Sequence, residues 1–307
     1  MIRLNKSFLL LFLALAVSSC GFSGSSQKTP VGYVRHCVRL LDREAFYSDS
    51  PEWQEERNAI LSEAKAFTTM DEAHDAVSRA AKAAGGKHSA LVPPVRDTAS
   101  YPEVAPEVRL LDGDILHIVL PTHTGVKVPD SLYIYTVLGF LQAHPDARGV
   151  IVDLRGNHGG NMGPMISAVS PLLPDGIILR FKGRKRISPI PLEFILRGAR
   201  VSPESITKFP VSAPVAILTD DGTASSGEAT LLCFRGLDNV RTFGSPTAGY
   251  ASANITKFLA DGYMLVITNA CDMARTGEVF CDNPIEPDVR TDTPLEDAVS
   301  WIESRNR

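Results

Sequence analysis

The segment that most limits what this chain can fold into is an apolar run, Pro214-Val215-Ala216-Ile217-Leu218. It is followed by Asp221-Gly222-Thr223-Ala224-Ser225-Ser226-Gly227-Glu228 and then by a helix-like run over 229–237. A strand, a turn of small residues and a helix in succession make one unit of an α/β layer, where the helix covers the strand it follows. The pattern also occurs earlier. Gly149-Val150-Ile151-Val152-Asp153-Leu154 is almost continuously apolar, as in a strand buried on both faces, and the glycine-rich stretch 155–163 leads from it into another helix. Residues 115–120 read as a strand, 131–143 as a helix ended by His144-Pro145, and 240–243 as a strand. Residues 256–259 and 263–267 flank Asp261-Gly262, a hairpin signal. From about residue 107 onward, strands alternate with helices, which predicts an α/β domain.

Residues 31–84 have a different texture and read as three helices. Val34, Cys37, Val38, Leu41 and Ala45 fall on one helical face. Ser50-Pro51-Glu52 supplies a cap, a first-turn proline and a first-turn acid, and Thr69-Met70-Asp71-Glu72 is a capping box for a helix that stops at Gly85-Gly86. This is a small helical N-terminal module.

The N-terminus reads as a targeting segment. Arg3 and Lys6 precede an apolar run over 8–17, too short to span a bilayer at about 20 residues. The run ends in Val17-Ser18-Ser19-Cys20, which resembles the lipobox of bacterial lipoproteins. That resemblance implies cleavage before Cys20 and lipidation there, with Gly21-Phe22-Ser23-Gly24-Ser25-Ser26 as a tether; ordinary signal cleavage near the same place is the alternative. The working part is then expected in the cell envelope, outside the cytoplasmic membrane, where disulfides are permitted. Cys271 and Cys281 flank a turn-like segment and are a possible pair, whereas Cys37 and Cys233 sit at apolar helix positions and read as buried thiols. A net charge of -4 makes no electrostatic case for nucleic acid, and the chain carries no glycine-rich phosphate loop and no HExxH pair, so no metal or cofactor is expected.

A serine at a strand-to-helix turn presents its hydroxyl at an edge, and the amide after it lies near a helix N-terminus, where unpaired N–H groups favour negative charge. Acyl transfer needs both features. Capping alone also explains a Ser/Thr-rich turn before a helix. A serine nucleophile needs a base. His36 and His74 are expected on solvated faces of the helical module, and His117, His123 and His144 read as structural or surface residues. His158 lies in the glycine-rich loop. His88, in Gly85-Gly86-Lys87-His88-Ser89, sits at the junction of module and core, and an imidazole titrating at about 6.5 is a neutral base at physiological pH. Asp153-Leu154-Arg155-Gly156-Asn157-His158-Gly159-Gly160-Asn161-Met162 follows a buried strand at the end where α/β ligand sites gather, and its glycines allow backbone amides to turn toward a ligand.

Five blocks together carry a resemblance. Lys87-His88-Ser89, the stretch from Asp153 to Asn161, Gly222-Thr223-Ala224-Ser225-Ser226 with Glu228, Gly244-Ser245-Pro246-Thr247-Ala248-Gly249, and Pro284-Ile285-Glu286-Pro287-Asp288 occur in the order found in the tail-specific (C-terminal-processing) serine peptidase family. Within it the chain is similar to the nisin resistance protein branch, which has a helical N-terminal module, no PDZ domain and a histidine base; residues 89–108 are too few for a PDZ domain. The resemblance implies a ClpP/crotonase-like core of ββα units with a small cap from about 178–210, whose Leu192, Phe194, Ile195 and Leu196 would line a peptide channel. It implies Ser225 as nucleophile, His88 as base, Gly159 or Gly160 with the Ser226 amide as oxyanion hole, and Asn161, Met162 and Tyr250 against the substrate. Tyr250 stands where lysine-dependent members carry lysine, and Cys281 where tricorn-like members carry a glutamate supporting the base. The group orienting His88 is therefore open among Asp282, Glu278, Glu228 and none.

The expected organisation is a signal peptide over 1–19, a lipid-anchored tether over 20–30, a helical module over 31–86 and a peptidase core over 87–307. The expected activity is a Ser–His endopeptidase acting on extended peptides or protein tails, anchored to the membrane through Cys20. The alternative is an envelope lipoprotein that binds peptides on the same fold without turnover.

Overall fold

The computed structural model describes residues 26–94 and 103–305. Cys20 and the proposed signal and lipidation segment lie outside the described residues. In chain order the elements are α1 (Pro30–Glu44), α2 (Pro51–Glu63), α3 (Met70–Gly85), β1 (Ala90–Val92), β2 (Glu107–Leu111), β3 (Ile115–Val119), α4 (Asp130–Ala143), β4 (Gly149–Asp153), α5 (Met162–Ala168), β5 (Ile177–Gly183), β6 (Ile187–Pro191) and α6 (Leu192–Gly198). They continue with β7 (Val215–Thr219), α7 (Ser226–Phe234), β8 (Val240–Gly244), β9 (Ser252–Phe258), β10 (Met264–Met273), β11 (Val279–Phe280), β12 (Val289–Arg290) and α8 (Pro294–Arg305). The chain is of mixed α/β class with a helical N-terminal region, and it divides into two compact units.

Among the described residues, the first unit comprises 26–94 together with 183–186 and 252–271. Thr29 caps α1 by accepting from the Gly32 amide, Ser50 caps α2 by accepting from the Trp53 amide, and Thr69 and Glu72 form the capping box of α3. The apolar face of α1 packs on an alanine-rich face of α3 (Ala73, Ala76, Ala80, Ala81, Ala84), where small side chains let the helices approach closely. Strand β10 pairs antiparallel with β1 on one side and β9 on the other. Alternate residues of β10 serve two faces: Leu265 and Ile267 join Tyr33, Trp53 and Ile60 beneath the helices, and Val266 packs with Ala90 and Val92. His74 is not on a solvated face. Its Nε2 lies 2.8 Å from Asp261, and its ring stacks on Tyr263 at 4.0 Å between centroids. The hairpin turn at Asp261-Gly262 returns beside α3, a long-range approach invisible to helical periodicity.

The second unit is built on a sheet of order β12-β8-β7-β4-β3-β2, parallel except for the antiparallel β2–β3 pair. Both faces of its centre are covered. Leu116, Ile118, Val150, Val152, Val215 and Ile217 pack with residues of α4, α5 and α7, while Ile115, Ile151, Ala216 and Leu218 meet Ala298 and Ile302 of α8. This is why β4 and β7 are apolar up to their last residues, Asp153 and Thr219. Fully burying one such aliphatic side chain contributes about 1.5–3 kcal/mol. Within the 178–210 segment, β5 and β6 form an antiparallel hairpin that runs into α6. Leu192, Ile195 and Leu196 of α6 are buried in the unit's main core, and only Phe194, on the opposite face, is largely exposed. Three of the four expected channel-lining residues are thus core residues, because a short amphipathic helix turns one face inward.

Candidate active site

Strands β4 and β7 are neighbours and parallel, so the loops after them emerge at the same edge of the sheet. This brings the glycine-rich loop of 155–161 against the turn of 220–226. Asp220 Oδ1 accepts from the Gly156 amide at 2.9 Å and the Gly222 amide at 3.0 Å. The Thr223 hydroxyl donates to the Leu154 carbonyl at 2.9 Å, and the Ala224 amide to the Asn157 carbonyl at 2.9 Å. The Ser226 hydroxyl donates to the Gly160 carbonyl at 2.7 Å. Two segments about 65 residues apart in sequence are joined by these hydrogen bonds into one layer.

Ser225 sits at the N-cap position of α7 with φ 53° and ψ −113°, in a region that non-glycine residues rarely adopt. The carboxylate of Glu228, fully buried, holds it there: Oε2 accepts from the Ser225 amide at 2.9 Å and from the Tyr250 amide at 2.7 Å. Oε1 accepts from the Gly249 amide at 2.8 Å and from the Thr247 hydroxyl. Burial pushes the Glu228 carboxyl above its usual value, against these donors. Glu228 was a candidate to orient His88; its oxygens instead tie the Ser225 turn to the 247–250 turn. Glu278, another candidate, is engaged by Arg235 at 2.8 Å and by Thr276 at 2.7 Å, and these hydrogen bonds hold its carboxyl down at about 2.

The glycines of the loop differ in what they offer. The Gly159 amide donates to Asn157 Oδ1 at 2.9 Å, so it is already engaged. A Cβ on Gly159 would lie 2.8 Å from Ser225 Cβ, which shows how closely the loop lies against the serine. Gly160 has φ 119°, and a Cβ there would come within 2.0 Å of the His123 carbonyl oxygen. The amides of Gly160 and Ser226 make no hydrogen bond among the described residues. Of the amides expected in an oxyanion hole, these two remain available. Asn161 caps α5 through its side-chain oxygen, which accepts from the Gly163 amide at 3.0 Å, and its own amide donates to His123. Met162 opens α5 and packs in part against the core, and Tyr250 is anchored by its amide on Glu228. Asp153, at the end of β4, is paired with Arg155 at 2.6 Å and with His117 at 3.2 Å; although burial opposes it, these bonds hold its carboxyl at about 2. His158 Nδ1 donates to the Gly222 carbonyl at 2.9 Å.

His88 belongs to the first unit, between α3 and β1, and is 4% exposed. Its Nδ1 lies 2.7 Å from the Ser252 hydroxyl. Burial, reinforced by the Lys87 charge, lowers the imidazole from 6.5 to about 3, so the ring is neutral at physiological pH. Ser252 was not singled out from the sequence; only its pairing through β9 with β10 places it beside His88. Cys271 and Cys281 are disulfide-bonded, and Cys37 and Cys233 are buried free thiols.

Comparison with known proteins bears on this geometry. The nisin-resistance protein of Lactococcus lactis subsp. lactis is 36% identical over 282 residues, covering 90% of this chain and 88% of that protein. The structure of a lipoprotein from Streptococcus agalactiae aligns with a TM-score of 0.81 at 31% identity, over 95% of this chain and 100% of that one. The photosystem II D1 C-terminal processing protease shares the fold, with a TM-score of 0.60 at 14% identity over 89% of this chain and 97% of that one. The model of peptidase family S41 matches residues 123–291, a span that begins at the histidine beneath Gly160 and contains Ser225, Glu228 and the 247–250 turn; this chain belongs to peptidase family S41.

Proposed function

We propose that this chain is an exported, lipid-anchored serine endopeptidase that cleaves extended peptides or protein C-terminal tails. The observation that carries this reading is the Ser225 turn: a serine held at positive φ by a buried carboxylate, stitched to a loop whose Gly160 amide, like the Ser226 amide, has no hydrogen-bond partner among the described residues. In the proposed reaction His88 takes the proton of the Ser225 hydroxyl as Oγ attacks a peptide carbonyl. The Gly160 and Ser226 amides receive the oxyanion, and such a donor is worth about a hundredfold to a thousandfold in rate. His88 then gives its proton to the departing amine, and water releases the acyl group by the same steps in reverse roles. Asn161, Met162 and Tyr250 contact the substrate, which lies extended. A base lowered to about 3 is neutral and ready to accept a proton, and it is weak, which supports slow turnover.

Family membership, the lipoprotein of similar structure and the lipobox-like run ending at Cys20 support an envelope location with anchoring at Cys20. Among the described residues no helix is long and apolar enough to cross a membrane. Nisin, the peptide in the name of the Lactococcus relative, is the first substrate to test, alongside unstructured peptides with free C-termini. Incubation with the purified protein, followed by mass spectrometry, is expected to show cleavage that Ser225→Ala abolishes without changing the fold; undiminished cleavage by that variant overturns the reading. A second reading, peptide binding without turnover, is favoured by the partner of His88 Nδ1 being a hydroxyl and not a carboxylate. It predicts saturable peptide binding with no product.

A further inference from the structure

The environment of His88 points to a residue that acts through it. His88 and Ser252 are each referenced to the same strand. On one side, the Ser89 hydroxyl accepts from the Thr268 amide of β10 at 2.9 Å, and Ala90 pairs with Val266. A Cβ on Gly85 would lie 2.0 Å from Ser89 Oγ, so the chain leaving α3 is pressed into this course. On the other side, Ser252 is the first residue of β9 and lies opposite Cys271, after a register shift between Thr268 and Ala270. A bulge of this kind re-aims side chains and is frequent beside functional sites. The two side chains, 164 residues apart in sequence, meet at 2.7 Å where both are buried, at 4% and 8% exposure.

We propose that Ser252 is the positioning residue for His88: its hydroxyl oxygen accepts the Nδ1–H and so leaves the lone pair on Nε2. This rests on the reading of His88 as the base for Ser225. For Nε2 to accept a proton, Nδ1 must carry one, and a buried N–H needs an acceptor. Ser252 supplies it and fixes both tautomer and ring orientation. In other serine peptidases a carboxylate does this and also stabilises the imidazolium. A neutral hydroxyl orients the ring without that stabilisation, so the base is aimed but not strengthened. Lys87 is the charged group that acts against protonation.

The test uses the full chain with the substitutions Ser252→Ala, Ser252→Thr and Ser252→Asp, each checked for an unchanged thermal midpoint. Ser252→Ala is expected to lower kcat about tenfold to a hundredfold, the effect of one lost buried hydrogen bond on a reacting group, with KM within about twofold. Ser252→Thr keeps the hydroxyl and restores most of kcat. Ser252→Asp moves the acid limb of the pH profile to higher pH, because a carboxylate favours the imidazolium. A purely structural role would leave kcat at the parental value in a Ser252→Ala variant whose thermal midpoint is unchanged, with nothing for Ser252→Thr to restore. If His88→Ala is inactive while Ser252→Ala keeps the parental kcat and pH profile, the role of Ser252 is wrong and the Ser–His reading stands. If His88→Ala keeps full turnover, the Ser–His reading fails and the role of Ser252 fails with it.

Discussion

The Glu228 carboxylate accepts the backbone N–H of Ser225 at 2.9 Å, three residues before it, and so fixes the serine at φ 53°. The same carboxylate takes three further donors, from Thr247, Gly249 and Tyr250. Removing it leaves buried donors without an acceptor, and each such group costs about 1–3 kcal/mol. Glu228→Ala is therefore expected to lose on the order of 3 kcal/mol of stability or more, and all cleavage. Urea unfolding with the native m-value as reference checks the first, and peptide turnover the second. A variant as stable and active as the parent contradicts the role.

The loop glycines give a graded prediction. Gly160→Ala would place Cβ 2.0 Å from the His123 carbonyl, and Gly159→Ala would place it 2.8 Å from Ser225 Cβ. Both are expected to abolish cleavage, and Gly160→Ala also to destabilise by about 2 kcal/mol or more, through the clash and the positive φ together. Gly156→Ala meets nothing within 4 Å and pays only for its φ of 67°, about 1 kcal/mol. Thermal or urea denaturation of the three variants checks the order.

Much of the second unit is legible in the sequence because its central strands are buried on both faces. Their apolar runs, 149–154 and 214–218, need no knowledge of partners to be read. The caps at Thr29, Ser50 and Thr69 are equally local. The turn of Ser225 is legible as well, since a strand, small residues and a helix occur in succession. What escapes is long-range. Ser252 shows nothing in its own neighbours that marks it, because its meaning lies in a register shift on β10. The hairpin of β5 and β6 is masked by basic and proline-rich sequence, and the engagement of the Gly159 amide by the Asn157 side chain depends on a rotamer.

The depressed His88 sets a pH dependence. Between pH 6.5 and pH 3 the unfolded chain binds a proton there that the native chain does not, so stability rises with pH across that window and this contribution is flat above it. The slope from this one group approaches about 1.4 kcal/mol per pH unit within the window. His88→Gln is expected to flatten that slope, measured as urea midpoints at a series of pH values. An unchanged slope contradicts a buried neutral imidazole. For turnover, the acid limb of kcat/KM is expected well below pH 6.5.

Cys37 and Cys233 are buried, and burial raises both thiols well above their usual value. Neither is expected to react with iodoacetamide in the native protein, while both react after unfolding. Peptide mapping by mass spectrometry distinguishes the states, and native modification at either position contradicts the packing described.

The central claim, that Ser225 is a nucleophile activated by His88, is tested most directly with a serine-directed fluorophosphonate probe on the full chain. The account predicts covalent labelling of the unaltered protein at Ser225, lost in Ser225→Ala and in His88→Ala. No labelling of the unaltered protein, or labelling that persists in either variant, would contradict it.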